Sequence, residues 1–177
     1  MASQMLLPAK LKKKSLRLKI RKMTAKSELN SCFRRIVILS NYRERCEEEL
    51  RQRLVNREKF DEAVFEEALA KAKKYDIVND ERYAELYAFC KTQCAKGVEG
   101  VKRQLTMMKI DYESMPAVMD TLNEASAKEY QVAYGFLERH PSSSKNQFES
   151  LVKKLVNRGF SAGLSIKVVK DLLASQQ

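Results

Sequence analysis

The sequence has little of several residue types on which common folds and active sites depend. Its 177 residues include one histidine, His140, and no tryptophan, so catalysis by histidine or a multi-histidine metal site has almost no candidates. Five glycines and three prolines are too few for an all-β chain, which needs a turn about every 8–12 residues. The apolar runs are short, as in Ile36–Leu39, and none approaches the roughly 20 residues of a membrane-spanning helix.

Cysteines are also few, and their spacing argues against a metal site. Of Cys32, Cys46, Cys90 and Cys94, only the last two are close, at i,i+4 on one face of a predicted helix. A zinc site would need two more ligands nearby, so we interpret the cysteines as small buried apolar residues in a reducing cytosol. The first residues lack the basic and apolar regions of a secretory signal. We expect a cytoplasmic protein without metal or cofactor.

Positive charge is abundant but unevenly distributed. The chain has 34 Lys and Arg against 23 Asp and Glu, a formal net charge of +11. Residues 1–30 contribute +8, residues 31–144 contribute −1 and residues 145–177 contribute +4. A surplus of this size indicates a polyanionic partner such as nucleic acid, a nucleoprotein or an acidic membrane face.

Residues 1–30 are predicted to form a basic arm. Apolar and basic residues alternate over Leu16–Arg21, a strand-like period of two that fits a short edge strand or one half of a hairpin. A disordered arm that orders on a polyanion and a solvated tail are the alternatives. Six arm residues are candidate phosphate contacts: Lys12, Lys13, Lys14, Arg17, Arg21 and Lys22.

From Ser31 onward the apolar spacing becomes helical. The pattern predicts helices over 31–41 after a cap at Asn30 or Ser31, from Glu47 through Leu54, after Asp61, and after Asn79 or Asp80. Linking helices are predicted at about 80–95 and 123–139, and Pro141 opens a linker that ends at Lys145.

The helical region matches itself at a shift of 50 residues. Five of the eighteen columns from 55 to 72 are apolar in all three copies, whereas chance predicts about one and a half. The matching residues are Val55, Leu105 and Leu155; Phe60, Ile110 and Phe160; Ala68, Val118 and Val168; Leu69, Met119 and Val169; and Ala72, Leu122 and Leu172. Each copy is read as helix, short turn and helix, with an apolar anchor at the turn. Accidental register between helices of similar length is the alternative.

A cap residue is expected directly after each anchor. Asp61, Asp111 and Ser161 occupy that position. In the second copy we favour Ser114 over Asp111 as the cap, because Pro116 then falls in the first helical turn, where it is tolerated. The predicted organisation is an all-α row of small units: a first repeat at 31–95, a second at 96–140 and a shortened third at 141–177.

At this point the order and spacing of several short segments resemble the RecX family of RecA regulators. The segments are Arg43, Arg45, Glu49, Leu50 and Leu54; Asp80, Arg82, Tyr83 and Ala84 after Ile77; Gly97 through Leu105; and Lys153 through Ser161, with Arg158, Gly159 and Phe160. The resemblance covers about residues 32–173. It departs at Cys46, where a small hydroxyl residue is usual, and at Lys59 and Lys109, which stand where the third copy has Gly159.

The resemblance implies a fold of three tandem three-helix repeats in an elongated, curved arrangement. It also implies a non-enzymatic monomer that binds the groove of the RecA–DNA filament. Such binding would inhibit ATP hydrolysis, strand exchange and co-protease activity in the filament. The arm lies outside the resemblance, so no role is implied for it.

Seven basic residues off the apolar helix faces are candidate contacts with the filament. They are Arg43, Arg45, Lys102, Arg103, Lys153, Lys154 and Arg158. The alternative for each is a solvated helix face or an i,i+4 ion pair, as Glu49 and Arg53 could form. No glycine-rich phosphate loop, nucleophile elbow or zinc-helix motif favours an enzyme.

Two other functions stay open at this stage. One is a free DNA-binding module with helix-turn-helix-like units and a basic arm on the phosphates. The other is a helical scaffold whose arm contacts acidic lipid. Tyrosines such as Tyr83 and Tyr87 could stack on bases, but at i,i+4 they are typical of helix packing.

Overall fold

A computed structural model describes residues 9–144 and 146–175, with side chains from Lys26 onward. This part of the chain contains eight α-helices and no strand, as predicted for an all-α protein. The helices are α1 (Ala9–Tyr42), α2 (Glu47–Arg51), α3 (Glu62–Lys74), α4 (Asp80–Gln93), α5 (Val98–Met107), α6 (Pro116–Arg139), α7 (Gln147–Arg158) and α8 (Ala162–Ala174). A π-helical segment, Gln52–Arg57, continues α2, and a 3₁₀ turn, Tyr112–Ser114, precedes α6.

The first helix corrects the prediction for the arm. α1 is continuous from Ala9 to Tyr42, so a strand over Leu16–Arg21, a disordered segment over 9–30 and a helix start at Asn30 or Ser31 are all wrong. Residues 9–42 contain no glycine or proline. Leucine, lysine and arginine are strong helix formers, and here that propensity outweighs a short period-two alternation.

The described residues up to Asn79 form one compact unit. α3 packs along α1, and α2 with its π segment completes a three-helix arrangement. The core contains Ile36 from α1, Leu50 and Leu54 from α2 and the π segment, and Phe65 from α3, each fully buried. Burial of a side chain of this size is worth roughly 1.5–3 kcal/mol.

The residues from Asp80 form a second compact unit. Here α4 and α5 pack with α6, and the C-terminal half of α6 shares a core with α7 and α8. α6 is one helix, so the linking helix predicted at 123–139 is not a separate element. Because α4 packs with the helices that follow it, the predicted first repeat, 31–95, includes parts of both units. The division into three repeats stays a prediction.

Three helix pairs share one turn geometry at the predicted 50-residue spacing. The residue before each anchor has a left-handed backbone, with φ of 64° at Lys59, 58° at Lys109 and 95° at Gly159. Each anchor N–H then donates to a leucine carbonyl of the preceding helix: Phe60 to Leu54 at 3.1 Å, Ile110 to Leu105 at 3.1 Å and Phe160 to Leu155 at 3.2 Å. Such bonds close the end of a helix by satisfying its last carbonyls.

The π segment accounts for a one-residue error in the sequence alignment. The closing bond spans six residues from Leu54 to Phe60 but five in the other two pairs. A π turn accommodates one additional residue, so Leu54, which is fully buried, replaces half-buried Val55 as the equivalent of Leu105.

Two of the predicted caps after the anchors are confirmed. The Asp61 carboxylate accepts the Ala63 N–H at 2.9 Å, and the Ser161 hydroxyl accepts the Leu164 N–H at 3.3 Å. Asp111 precedes the 3₁₀ turn instead of capping α6.

The second helix pair has a different cap from the one predicted. Met115 is the cap of α6 and Pro116 is its first residue, so the late start is confirmed while Ser114 as cap is wrong by one residue. The Ser114 hydroxyl instead donates to the Asp111 carbonyl at 2.8 Å, which stabilises the 3₁₀ turn before the helix.

Candidate functional site

A cleft lined by basic side chains lies in the second unit. Its volume is about 420 Å³, and we call it the cationic cleft. Its lining residues are Lys91, Cys94, Lys96, Phe136, Lys154, Asn157 and Arg158. Four of these seven are cations and none is an acid, so the cleft favours an anionic ligand.

Arg158 is held in the cleft by neutral groups. At the C-terminal end of α7, its Nε donates to the Ala95 carbonyl and its Nη2 to the Cys94 carbonyl, both at 2.9 Å. The guanidinium also lies 4.3 Å from the centre of the Phe136 ring. These contacts fix its position without placing a negative charge beside it, and they give Arg158 a structural role in addition to its predicted one.

Lys154 lies one turn earlier on α7 and is oriented in a similar way. Its Nζ donates to the His140 carbonyl at 2.8 Å and to the Pro141 carbonyl at 3.2 Å, just after α6 ends. A cation at the C-terminus of a helix is favoured by the helix dipole. The sequence predicts Lys154 as a partner contact, with a solvated helix face as the alternative; the side chain is half-buried, so that alternative is wrong.

Lys91 and Lys96 complete the cleft from α4 and the turn after it. Their Nζ atoms lie 5.4 Å and 5.9 Å from the centre of the Tyr87 ring, within the range of a cation–π interaction. Lys96 Nζ also donates to the Tyr87 hydroxyl at 3.4 Å. The turn reverses at Ala95, whose φ of 53° is left-handed, and this brings Lys96 back beside α4.

The start of α5 and the turn after α7 make close backbone contact, directly after the cleft residues Lys96 and Arg158 in sequence. The Gly97 N–H donates to the Arg158 carbonyl at 3.2 Å, and the Gly100 N–H to the Gly159 carbonyl at 2.8 Å. A Cβ at Gly97 would lie 2.3 Å from the Gly159 backbone, and one at Gly100 would lie 2.7 Å from it. We call this contact the glycine seam, because glycine alone permits so close an approach.

A half-buried carboxylate supports the same end of α5. Glu129 Oε1 accepts the Val98 N–H at 2.8 Å, which satisfies one of the first N–H groups of the helix. Burial raises the pKa of Glu129, and nearby Glu99 raises it further, against the Val98 hydrogen bond and the charge of Lys102, which lower it.

The other predicted contacts are dispersed over both units. In the first unit Arg43 Nη2 contacts a Glu49 carboxylate oxygen at 3.0 Å and Arg45 contacts the other at 3.8 Å. In the second unit Lys102 is half-buried, while Arg103 and Lys153 are exposed. Of the seven, the structure brings only Lys154 and Arg158 together in the cationic cleft.

Predicted contacts in the arm are placed by their backbone alone. Lys12, Lys13, Lys14, Arg17, Arg21 and Lys22 fall within α1. Their side chains lie outside the described residues.

Sequence reasoning missed Lys91, Lys96 and Asn157. Asn157 precedes the predicted Arg158, but the lysines are more than 60 positions away from it, and no local pattern joins them. Tyr83 and Tyr87 stack on each other with ring centres 5.8 Å apart, which agrees with the packing interpretation.

The described residues contain neither a candidate membrane span nor a candidate metal site. No helix there is long and apolar enough to cross a bilayer. No three His, Cys, Asp or Glu side chains there are grouped so that they could hold a metal ion.

Comparison with known proteins supports the predicted resemblance. A protein named Regulatory protein RecX from Caldanaerobacter subterraneus is 30% identical over 101 residues, which is 57% of this chain and 50% of that protein. This chain therefore matches only half the length of that relative. Another of the same name from Haemophilus influenzae is 26% identical over 146 residues, covering 82% of this chain and 94% of that one. No family model matches the chain.

Solved structures agree on the fold. The crystal structure of RecX from Lactobacillus salivarius matches with a TM-score of 0.60 at 21% identity, covering 83% of this chain and 97% of that one. A second RecX crystal structure matches with a TM-score of 0.63 at 17% identity, covering 97% and 81%. The predicted resemblance to the RecX family is thereby confirmed.

Proposed function

Because the chain resembles RecX-family proteins in sequence and fold, we propose that it is a non-enzymatic regulator of the RecA recombinase. It binds the groove of the RecA–DNA filament as a monomer and inhibits the filament's ATPase, strand exchange and co-protease activities, thereby modulating DNA repair. Acting on such filaments places it in the cytoplasm. The single observation that carries the proposal is the match to Regulatory protein RecX over 146 residues.

The distribution of charge supports a nucleoprotein as the partner. Residues 31–144 are nearly neutral, and the cationic cleft concentrates positive charge in one place in the second unit. A filament offers both protein surface and DNA phosphate, so it suits a mixed surface with a basic site better than bare DNA does. Several weak contacts along a repeating filament also add through avidity.

Contact residues are proposed by exposure and position. Arg103 and Lys153 are exposed on α5 and α7, where they can reach a partner without breaking an internal contact. Arg43 and Arg45 already contact Glu49, so a partner would have to compete for them.

Titration of DNA-dependent ATP hydrolysis by the host recombinase tests the proposal. The full chain should lower the rate at sub-stoichiometric amounts, because one bound molecule affects several protomers of a filament. Unchanged hydrolysis at a large excess of the chain would contradict it. Excess single-stranded DNA added after filament assembly is the control: it should relieve the inhibition only in part if the chain binds the filament, because contacts with the recombinase remain when free DNA occupies the basic groups.

The alternative is a free DNA-binding module, which the cationic cleft and the basic α1 favour. In that case excess DNA should relieve the inhibition, because the chain acts by covering DNA. Replacing the six arm cations by glutamine in the full-length chain should then weaken a gel-shift complex sharply. Glutamine is also a good helix former, so this variant keeps α1 helical and tests charge alone.

A further inference from the structure

We propose that the cationic cleft is a phosphoryl-anion site that binds the backbone of DNA without reading its bases. The site deepens the proposed function, because it assigns the DNA of the filament, rather than the recombinase, to one defined part of this chain. Its residues are Lys91, Lys96, Lys154 and Arg158, with Asn157 beside them.

The electrostatic argument rests on what holds the cations in place. Arg158 and Lys154 are bound by backbone carbonyls, and Lys91 and Lys96 lie against the Tyr87 ring. Neutral partners orient a cation without cancelling its charge. The helix ends that Arg158 and Lys154 contact carry about −0.5 charge each, so roughly three of the four positive charges stay uncompensated.

Arg158 has N–H donors left with which it can bind a phosphate. Arginine has five N–H donors, and two in Arg158 are bound to Cys94 and Ala95, which leaves three. The other N–H groups lie on a guanidinium that is already immobilised against Phe136. A phosphate therefore meets a pre-oriented donor and loses little side-chain entropy on binding.

The aromatic rings of the cleft are occupied, which argues against base stacking. Phe136 is covered by the Arg158 guanidinium at 4.3 Å and by the His140 ring at 4.4 Å. Tyr87 carries Lys91 and Lys96 and stacks on Tyr83. Base recognition in single strands depends on open aromatic faces, so the cleft offers a DNA strand its cations and not an open ring.

Two cysteines can report binding at the cleft through their rates of alkylation. Cys94 lines the cleft and Cys90, one turn earlier on α4, does not. Both are exposed, so the predicted burial is wrong for these two cysteines and confirmed for Cys32 and Cys46. Cys90→Ser and Cys94→Ser each leave one exposed thiol. Alkylation by N-ethylmaleimide, followed by mass spectrometry, then reports on either position in the full chain.

An oligothymidine should slow the alkylation of Cys94 by about tenfold at ten times its Kd, as expected for nine-tenths occupancy, and slow that of Cys90 much less. An abasic oligomer of the same length should protect equally, because only phosphates are bound. Inorganic phosphate and ATP are tested in parallel. If they protect Cys94 at lower concentrations than the oligomers do, the site binds a free phosphate compound and the DNA assignment is wrong.

The variant Lys91→Gln with Lys96→Gln tests the cleft without disturbing the carbonyl-bound residues. In this variant oligothymidine should protect Cys94 much less. The slope of log K against log salt concentration for oligothymidine binding should shrink by about 0.7 per lost phosphate contact. Lys128→Gln with Lys170→Gln is the matched control, since it removes two exposed charges of the same unit outside the cleft.

The two proposals can fail separately. If the chain inhibits ATP hydrolysis but DNA leaves Cys94 unprotected, the cleft proposal is wrong and the regulatory function stands. If DNA protects Cys94 while hydrolysis is unaffected, the regulatory function is wrong and the cleft stands.

Discussion

Two arginines, one in each compact unit, have partners of opposite electrostatic character. In the first unit Arg51 contacts the carboxylates of Glu47, Glu62 and Glu66. In the second, Arg158 contacts two carbonyls and an aromatic ring. Carboxylates cancel the field of a cation, whereas carbonyls and rings only orient it. The comparison shows that position and partner, more than the number of basic residues, decide where a chain of net charge +11 presents its charge.

The largest expected effect comes from breaking the glycine seam. Gly100→Ala places a Cβ 2.7 Å from the Gly159 backbone, which cannot yield as a side chain would. We expect a loss of about 3 kcal/mol in the free energy of unfolding of the second unit, as for a severe overpacking substitution. Hydrogen exchange should show faster opening of α5 and α7, while α3 in the first unit keeps its protection.

Gly135→Ala is the control for this substitution. An added Cβ there meets nothing within 4 Å, and alanine is the better helix former, so α6 should gain about 1 kcal/mol. Equal effects of the two variants would show that the seam is not tightly packed.

A smaller effect concerns how the stability costs of replacing Arg51 and Arg158 respond to salt. Arg51→Met and Arg158→Met each remove hydrogen bonds of a charged group, at a cost of about 2 kcal/mol. The cost of Arg51→Met should shrink in high salt, because ion pairs near the surface are screened, while that of Arg158→Met should hold. Urea unfolding of each variant at low and high salt measures this, and the same salt response in both would remove the distinction between the units.

Replacing a lysine of left-handed backbone conformation by glycine should raise the free energy of unfolding by about 0.5–1 kcal/mol. Lys59→Gly in the first unit relaxes a φ of 64°, a conformation that glycine adopts without the steric cost of a Cβ. Thermal unfolding should show a higher Tm. Lys170→Gly, within α8, is the control and should lower the Tm, so a loss in both would mean that the Lys59 side chain matters more than its backbone.

The smallest effects concern pH, and they differ in sign between the units. Arg35 lowers the pKa of Glu58 through a hydrogen bond, and Lys73 and Arg51 together lower that of Glu47 against its burial. Both acids stabilise the first unit above the ordinary pKa of about 4.5, and that stabilisation is lost as pH falls through the lowered values.

Glu129 acts the other way in the second unit. Burial raises the pKa of its carboxyl group, so the free energy of unfolding falls as pH rises from about 4.5 through the raised value. Hydrogen exchange at pH 4 and pH 7 should therefore show a lower free energy of unfolding at pH 4 in the first unit and a slightly higher one in the second. Glu129→Gln should abolish the stabilisation of the second unit at pH 4. If it does not, another group is responsible.

Much of the fold could be predicted because it depends on local chemistry. The apolar spacing predicted the helices, and caps such as Asp61 and Ser161 follow from hydroxyl and carboxylate preferences at helix starts. The late start of α6 followed from the backbone of Pro116. The arm was mispredicted because a six-residue alternation was weighed above the helix propensity of the whole segment.

The cationic cleft could be predicted only in part. Arg158 and Lys154 were singled out from their own helix, but Lys91 and Lys96 join them through a turn whose left-handed residue is Ala95, a residue type that gives no such signal. The glycines of the seam are visible in the sequence, yet their partner backbone is about 60 residues away. Contacts between distant segments leave no local pattern.

The π-helical segment bears on how such a chain tolerates insertions during evolution. An extra residue usually has to be accommodated in a loop, where it shifts everything that follows. Here Gln52–Arg57 takes it up inside the helix, so Leu54 still reaches Phe60 and the turn beyond keeps its geometry. Homologues that differ by one residue in this segment can therefore share one fold, and a sequence gap placed in the neighbouring loop would misalign the helix by a third of a turn.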